Sequence, residues 1–313
     1  MLKKITQVKK VNQAMKEYAA SILPAENIKL REPLHKYTSF RTGGEADCLL
    51  VVNDAEQLGK LLKYMRITEN EYFLLGNGTN LLVSDRGYDG TVIKFGLGMS
   101  RIHVEGERIY VQAGALLSQT AKRAMEEGLT GMEFASGIPG SVGGGLVMNA
   151  GAYGGEMSQI VESVTVMNEN GEIMELDCDT MEFGYRTSVI KNRSFVVLEA
   201  ALRLKHGDKE NIQAKMEEFA AKRKAKQPLE YPSAGSIFKR PEGNFAGKLI
   251  MDSGMRGYRV GGAQVSEKHC GFIINTGKAT SEDIAELMAE IQDRVKERFR
   301  ITLEPEIVRL GQF

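Results

Sequence analysis

The sequence predicts an α+β fold, in which helices and strands succeed one another without a fixed repeat. Residues 48–95 have the order strand, helix, strand, strand. Residues 164–204 are rich in strands, with Asn170-Gly171 as a hairpin turn. Apolar residues recur at helical spacing after Asn211 and again after Thr280. The chain therefore reads as a set of α+β domains.

The first third of the chain predicts two helices and four strands. The first helix covers residues 11–22, with an apolar face of Val11, Met15, Tyr18, Ala19 and Ile22. Asp54 is expected to cap the second helix, whose inner face carries Leu58, Leu61, Leu62 and Met65. Strands are expected at Cys48–Val52, Tyr72–Leu75, Leu81–Val83 and Thr91–Phe95, with a turn at Gly87–Gly90.

The middle of the chain continues with strands around one helix. That helix should carry Leu117, Ala121, Ala124 and Met125 on its buried face and stop at Gly128. The strands are expected at Ile109–Ala113, Val164–Met167, Ile173–Leu176 and Phe195–Leu204.

The last third predicts two long helices and short strands. The first helix has Ile212, Met216, Phe219 and Ala220 on one face and ends in the basic cluster Lys222–Lys226. Thr280 or Ser281 should cap the second, which buries Ile284, Leu287, Met288, Ile291, Val295 and Phe299. Strands are expected at Gln264–Ser266, Gly271–Asn275 and Ile307–Leu310.

Composition excludes several classes of protein. The 313 residues suffice for two or three domains, and the balance of 41 basic and 41 acidic residues favours neither a nucleic acid nor an anionic membrane as partner. No apolar run approaches the length of a membrane span, and MLKKITQVKK lacks the apolar core of a signal peptide. Cys48, Cys178 and Cys270 are scattered, which argues against disulfides or a zinc site and indicates the cytoplasm.

Two glycine-rich stretches are candidates for binding a phosphate-bearing ligand. Gly76-Asn77-Gly78 follows an apolar strand, and Ser136–Glu156 contains eight glycines between Gly137 and Gly155 and a single charge. Backbone without a Cβ approaches a ligand closely, and its amides can converge on an anion. The first stretch could equally be a simple hairpin bend. The second is too apolar for a flexible linker, which favours a binding site built from main chain.

Common catalytic signatures are missing. Leu81 stands where the dinucleotide fingerprint needs its third glycine, and the Walker pattern is absent. Ser236 is not in a G-x-S-x-G elbow, and no HExxH or Cys/His cluster suggests a metal. These gaps exclude a Rossmann domain and a P-loop NTPase, and they remove most of the support for a hydrolase or a metal enzyme.

Four polar sites remain, each with a plain alternative. Tyr185-Arg186 is either a polar site at the edge of a strand or a surface arginine stacked on a tyrosine, and Ser236 is either a hydroxyl held beside an apolar wall or a cap of a turn. Glu306 follows Pro305 at the start of a strand and faces either a site or solvent. The cluster Lys222–Lys226 either contacts phosphate or complements the helix dipole.

Seven motifs together resemble the family of UDP-N-acetylenolpyruvoylglucosamine reductases. They lie between about residues 38 and 311, in the family's order. The first four, which are shared with other vanillyl-alcohol-oxidase-type FAD domains, are Thr42-Gly43-Gly44 with Ala46-Asp47, Gly76 to Leu82, Ile138 to Gly144, and Asn149 to Gly154. The three specific to the reductase are Phe183-Gly184-Tyr185-Arg186, Ser233 to Lys239, and Leu303 to Glu306.

The resemblance implies FAD bound by a vanillyl-alcohol-oxidase-type fold of two subdomains, with a C-terminal α+β substrate domain. The subdomains would be residues 1–95, to which 304–313 return, and 96–207, and the substrate domain would be 208–303. The implied cofactor-binding residues are Gly76, Asn77, Gly78, Thr79, Asn80, Ile138, Pro139, Gly140, Ser141, Gly143, Gly144 and Gly151.

The resemblance also implies a reaction of peptidoglycan precursor synthesis, and hence of cell-wall biogenesis. NADPH would reduce FAD, and flavin N5 would pass a hydride to C3 of the enolpyruvyl group of UDP-N-acetylglucosamine enolpyruvate, giving UDP-N-acetylmuramate. Ser236 would give a proton to C2, and Arg186 and Glu306 would stabilise the enol-like intermediate. Tyr185, Arg223 and Lys226 are the implied substrate-binding residues. The small-molecule partners would be NADPH and UDP-N-acetylglucosamine enolpyruvate, and no nucleic acid or metal would take part.

Some positions depart from the family. The segment His206–Glu210 is too short for the tyrosine-bearing insertion of the longer members, so the chain resembles the shorter type. Arg240 replaces an asparagine of that longer type. Arg309 stands one position away from the usual arginine, so on a strand it should point to the opposite face.

Two other functions remain open from the sequence. One is an oxidase of alcohols or sugars with the same FAD domain, although the glycine run has no His or Cys for covalent flavin attachment. The other is a binding protein or scaffold that keeps the glycine-rich binding surface and has no catalytic activity. The retained Tyr185-Arg186, Ser236 and Glu306 favour the reductase over both.

Overall fold

The computed structural model describes residues 13–313, which form two compact units. The first unit contains the described residues up to Leu30, with Asp47–Asn77 and Asp89–Lys222, and the second contains Arg31–Ala46, Gly78–Tyr88 and Arg223–Phe313. Helices and strands are mixed in both units, which confirms the predicted α+β class. Val11, expected on the first helix, lies outside the described residues.

The elements follow one another as the sequence analysis broadly expects. The helices are α1 Gln13–Ile22, α2 Ala55–Ile67, α3 Leu117–Glu126, α4 Val142–Val147, α5 Val189–Asn192, α6 Lys209–Lys226, α7 Ala246–Asp252 and α8 Ser281–Phe299. The strands are β1 Ile28–Pro33, β2 Glu45–Val52, β3 Tyr72–Leu75, β4 Leu81–Val83, β5 Tyr88–Phe95, β6 Ile102–Glu105, β7 Arg108–Gln112, β8 Leu129–Thr130, β9 Gly151–Ala152, β10 Gly155–Glu156, β11 Val161–Met167, β12 Ile173–Asp177, β13 Val196–Arg203, β14 Lys205–His206, β15 Arg259–Val260, β16 Ala263–Val265, β17 Ile273–Asn275 and β18 Val308–Leu310.

Two sheets organise the first unit. A four-stranded sheet has the order β1-β2-β5-β3, and α1 and α2 share a buried core with it. A five-stranded sheet has the order β12-β11-β13-β7-β6, with antiparallel neighbours. Its core also includes buried residues of α3 and α4. Asn168–Glu172 form the predicted hairpin turn between β11 and β12, with Gly171 at φ +79°.

The second unit is built on α8 and a small sheet. The antiparallel sheet β15-β16-β17 packs with α7 and α8 in one hydrophobic core. Strand β4 pairs in parallel with β18, with Leu81 opposite Val308. As β3 belongs to another sheet, Gly76-Asn77-Gly78 is not the bend of a hairpin, and the alternative interpretation of that stretch is wrong.

Other sequence expectations need correction. Helix α4 inside the stretch Ser136–Glu156, strand β6 and helix α7 were not predicted. Ala220, expected on the buried face of α6, is exposed, whereas Ile212 on that helix is buried. Strand β5 begins at Tyr88, where a turn was expected. Helix α6 presents more surface to solvent than its apolar spacing indicated.

Candidate active site

The two glycine-rich stretches meet in the first unit. The side-chain amide of Asn77 donates a hydrogen bond to the main-chain oxygen of Pro139 at 2.6 Å. A Cβ added to Gly76 would lie 2.9 Å from Oγ of Ser141. Residues separated by more than sixty positions therefore form one surface of main chain, as expected for a ligand held by backbone amides.

The second stretch owes its shape to the end of β7. Gly143 N–H donates to the carbonyl of Ala113 at 2.9 Å, and a Cβ at Gly143 would lie 3.0 Å from the Cβ of Ala113. Ser141 is the N-cap of α4, and its Oγ accepts a hydrogen bond from Gly144 N–H at 3.3 Å. Three consecutive glycines cost helix propensity, but Gly143 lets α4 lie close to Ala113, and Gly145 lets it lie close to Leu117 of α3.

An open cleft lies beside these glycines. Its polar rim contains Gly76, Ser141, Gly143 and Gly144, and its apolar walls contain Leu74, Leu75, Ile93, Phe95, Ala113, Val147, Ile190, Phe195, Val196 and Val197. Glycine main chain suits phosphate oxygens, and apolar walls suit a flat ring system. The residues of the cleft therefore fit a dinucleotide cofactor with an aromatic ring, such as FAD.

The rest of the first glycine motif belongs to the second unit. Gly78 has φ +63°, and a Cβ there would lie only 1.8 Å from the carbonyl oxygen of Tyr37. The side-chain amide of Asn80 donates to the main-chain oxygen of Glu306 at 3.1 Å, and Val308 N–H donates to the carbonyl of Asn80 at 3.1 Å. Asn80 therefore fixes the segment that carries Glu306. Thr79, between them, is half-buried.

Arg186 is held by the second glycine stretch. Its Nη1 donates to the carbonyl of Asn149 at 3.4 Å and its Nη2 to that of Gly151 at 3.2 Å. The guanidinium also lies 5.2 Å from the ring centre of Tyr185. Buried Asn149 donates to the carbonyl of Gly184 at 3.2 Å, so the two motifs support each other.

Asn149 is a residue that the sequence interpretation missed as part of the site. It appeared in the motif Asn149 to Gly154, but nothing in the local pattern linked it with Gly184. An asparagine inside an otherwise apolar, glycine-rich stretch was the available signal, because an amide that becomes buried there must find partners inside the protein.

Ser236 and Glu306 lie on paired segments of the second unit. Ser236 forms an isolated antiparallel bridge with Phe272, and Phe238 forms one with Pro305. Glu306 N–H donates to the carbonyl of Ile237 at 2.8 Å, so the two main chains run side by side. Ile237 is buried while Ser236 is exposed. The chain thus anchors the serine through its neighbours and leaves its hydroxyl accessible.

The basic end of α6 supplies the remaining candidates. Nε of Arg223 donates to Oε1 of Gln227 at 2.9 Å, and the side chain of Lys226 is exposed in the last turn of the helix. The positive charge of Lys226 helps to lower the pKa of His269, after burial, which is the larger cause. Lys226 therefore belongs to the same surroundings as the segment that follows β16.

Two further observations concern other kinds of site. Within residues 13–313, no helix is long and apolar enough to span a membrane. The same part of the chain contains no group of three or more His, Cys, Asp or Glu side chains arranged to hold a metal ion.

Comparison with known families divides the chain into two matched regions. Residues 46–177 match the FAD binding domain, and residues 227–310 match the C-terminal domain of UDP-N-acetylenolpyruvoylglucosamine reductase. The first match covers both glycine-rich stretches, and the second covers Ser236 and Glu306.

Relatives match nearly the whole chain. UDP-N-acetylenolpyruvoylglucosamine reductase from Caldanaerobacter subterraneus subsp. tengcongensis is 50% identical over 291 residues, which cover 93% of this chain and 96% of that protein. The protein of the same name from Clostridium tetani is 49% identical over 290 residues, covering 93% and 94%. The crystal structure of UDP-N-acetylenolpyruvylglucosamine reductase from Thermus caldophilus aligns with a TM-score of 0.78 at 37% identity, covering 91% of this chain and 98% of that one.

Identity of this extent, over almost the full length of both chains, confirms the resemblance of the seven motifs. The chain belongs to the UDP-N-acetylenolpyruvoylglucosamine reductase family.

Proposed function

We propose that the chain is the FAD-dependent enzyme that uses NADPH to reduce the enolpyruvyl group of UDP-N-acetylglucosamine enolpyruvate to UDP-N-acetylmuramate. The observation that carries this proposal is the pairing of two distant segments, in which Glu306 N–H donates to the carbonyl of Ile237 at 2.8 Å. This bond holds the main chains of the two segments side by side, which supports a common site for the Ser236 hydroxyl and the Glu306 carboxyl group, the kinds of group that saturation of an activated alkene needs.

Bound FAD would supply the hydride chemistry, taking a hydride from NADPH and delivering it to C3 of the alkene. The residues proposed to hold it are Gly76, Asn77, Gly78, Thr79, Asn80, Ile138, Pro139, Gly140, Ser141, Gly143, Gly144 and Gly151. The cleft lined by Gly76, Gly143 and Gly144 supports this assignment, because glycine main chain and apolar side chains border the same open space.

Ser236 is proposed to donate the proton that reaches C2. The balance is one hydride to C3 and one proton to C2, which converts the carbon–carbon double bond to a single bond. A serine hydroxyl is a weak acid in water, so the substrate must exclude water and a cation must favour the alkoxide. The exposed position of Ser236, anchored between buried Ala234 and Ile237, supports access by a substrate.

Arg186 and Glu306 are proposed to stabilise the enol-like intermediate. Negative charge appears on C2 and the carboxylate only as hydride arrives, so groups fixed in advance lower the barrier efficiently. The two carbonyls that accept hydrogen bonds from Arg186 limit its rotation, which supports such a role. Glu306 offers a carboxyl group on a segment fixed by Asn80.

Tyr185, Arg223 and Lys226 are proposed to bind the substrate. Arginine and lysine provide charge for its diphosphate, and a tyrosine ring provides a surface for stacking. We propose that two subdomains bind FAD, one of residues 1–95 with 304–313 and one of residues 96–207. Residues 208–303 would form the domain that binds the substrate. Because both substrates are nucleotides and the three cysteines are free, we place the reaction in the cytoplasm.

An anaerobic titration tests this function. The purified protein is expected to be yellow, and NADPH should bleach its flavin absorption. The UDP-enolpyruvyl substrate should then restore the oxidised spectrum in the absence of oxygen. A folded preparation that takes up no FAD, or a bleached protein that the substrate fails to reoxidise, would contradict the proposal.

A further inference from the structure

His269 lies in the turn between β16 and β17, next to the segment that pairs with Ser236. Its Nδ1 accepts a hydrogen bond from Gly271 N–H at 3.2 Å. The ring packs edge-on against Phe272, with 4.8 Å between the ring centres. Because Nδ1 acts as an acceptor, the imidazole is neutral and carries its proton on Nε2.

From Gly271, main-chain hydrogen bonds lead towards the main chains of both reactive residues. The carbonyl of Gly271 accepts from Ile237 N–H at 3.0 Å, and the carbonyl of Ile237 accepts from Glu306 N–H at 2.8 Å. Ser236 itself bridges to Phe272, the residue after Gly271. The orientation of the Gly271 peptide groups therefore affects the positions of Ser236 and Glu306 together.

The turn that carries His269 is itself fixed. Oγ of Ser266 accepts hydrogen bonds from the N–H groups of Lys268 and His269, both at 3.2 Å. Phe272 N–H donates to the carbonyl of His269 at 2.9 Å. On the other side, a Cβ at Gly247 of α7 would lie 3.5 Å from Cε1 of the ring. These contacts leave the imidazole little room to move, so the ring cannot follow the Gly271 N–H if their hydrogen bond breaks.

The surroundings keep the ring neutral near pH 7. Burial lowers the pKa of His269 below its ordinary value of 6.5, the main chain of His269 itself opposes this, and the charge of Lys226 lowers the pKa again. Of the other charged groups on neighbouring segments, Lys268 pairs with Glu230 at 3.8 Å and Lys248 of α7 pairs with Asp252. Acceptance by Nδ1 is lost only as pH falls below 6.5 and the ring takes a second proton.

We propose that His269 is a positioning residue for reduction of the enolpyruvyl group, because its neutral imidazole aligns Ser236 with Glu306 through the Gly271 peptide. The inference rests on the proposed function, in which Ser236 donates the proton. His269 acts through main chain and does not itself touch the substrate. It should therefore affect the reoxidation of flavin by substrate and not the reduction of flavin by NADPH.

Stopped-flow measurement of both half-reactions tests this role. His269→Leu is expected to slow reoxidation at saturating substrate by about 10- to 100-fold, because small displacements of a reacting group are costly. His269→Asn, whose Oδ1 can accept from Gly271, should recover most of that rate. The matched control is His206→Asn, at an exposed histidine of β14. Bleaching by NADPH should stay unchanged in all three variants.

A second measurement does not depend on activity. In the 15N-labelled wild-type holoenzyme, the Gly271 amide shift should follow the titration of the His269 ring as pH falls below 6.5. A Gly271 amide shift that stays constant over this titration would overturn the inference. A His269→Leu variant whose flavin is reoxidised by substrate at the wild-type rate would overturn it as well. So would an Asn variant that folds as the wild type does and reacts as slowly as the Leu variant. If wild-type protein itself is not reoxidised by substrate, the proposed function fails instead, while the amide titration still tests the bond.

Discussion

Gly78 occupies a backbone position that a side chain cannot enter. Its φ is +63°, and a Cβ would lie 1.8 Å from the carbonyl oxygen of Tyr37. The carbonyl of Gly78 accepts from Ser39 N–H at 3.0 Å, so the facing segment cannot withdraw without losing that bond. A shift here would reach Asn80, two residues further on, which fixes Glu306.

Gly78→Ala should destabilise the second unit by well over 1 kcal/mol, the order of cost of alanine in a strained backbone conformation alone. Gly243→Ala is the matched control, because Gly243 lies in the same unit at φ +66° with nothing within 4 Å of the added Cβ. The measurement is the urea midpoint of unfolding for each variant. Equal midpoints for the two variants would show that the contact with Tyr37 costs nothing.

At this scale the sequence could suggest polar candidates but not their partners. Asn77 bonds a carbonyl 62 positions away, and Asn80 bonds one 226 positions away. No local pattern encodes such contacts, because they depend on which strands become neighbours. Glycines are easier to interpret, since their freedom at positive φ and their close approach are properties of the residue itself.

Helix α8 forms as its sequence predicts because each local signal agrees with its packing. Thr280 is the N-cap, its side chain accepts from Asp283 N–H, and the Asp283 side chain accepts from Thr280 N–H. Five of the six predicted core residues, Ile284, Leu287, Met288, Ile291 and Val295, are buried, and Phe299 is partly buried against them. Consistency between the cap and the apolar face explains why this element could be predicted.

Thr280→Ala is expected to lower the stability of the second unit by about 1 kcal/mol, the usual cost of losing an N-cap side chain. Thr302→Ala, at an exposed threonine outside the helices and strands, should change stability by less than about 0.5 kcal/mol. Denaturant unfolding of both variants checks the difference. A Thr280 variant as stable as the Thr302 variant would mean that the capping box contributes nothing.

The elements that could not be predicted share a physical reason. Helix α4 is Val142–Val147 with three glycines, which intrinsic propensity disfavours, and it exists because glycine lets it pack against the end of β7. Helix α7 begins after Phe245 without a side-chain cap. Strand β6 is short and is stabilised by pairing with β7. In each case tertiary contacts override the local signal.

At the scale of the whole chain, the fold class could be predicted, but the threading between units could not. Segments 31–46 and 78–88 join the C-terminal residues through pairings such as β4 with β18 and through contacts such as Asp85 with the first N–H groups of α8. Composition and periodicity cannot predict that these segments pack with residues near the C-terminus. The seven motifs, by contrast, indicated the family because their order in the sequence does not depend on the path of the chain in space.

The threading has a functional consequence for the proposed mechanism. Gly76, Asn77, Ile138–Ser141, Gly143 and Gly144, proposed to hold the cofactor, belong to the first unit, whereas Ser236 and Glu306 belong to the second, together with the proposed cofactor residues Gly78, Thr79 and Asn80. Because Ser236 is not among the proposed cofactor residues, changes at Ser236 should leave FAD binding and its reduction by NADPH largely unaffected. The two half-reactions thus separate the contributions of the two proposed groups of residues.

The most direct test is stopped-flow kinetics of Ser236→Ala in both half-reactions, with Ser253→Ala, a hydroxyl of the same unit that donates to the carbonyl of Leu249, as control. We predict near-normal bleaching of the flavin by NADPH and a loss of at least about 100-fold in reoxidation by the UDP-enolpyruvyl substrate, the usual contribution of a general acid. Equal losses in both half-reactions, or unchanged reoxidation, would contradict the assignment of Ser236 as the proton donor.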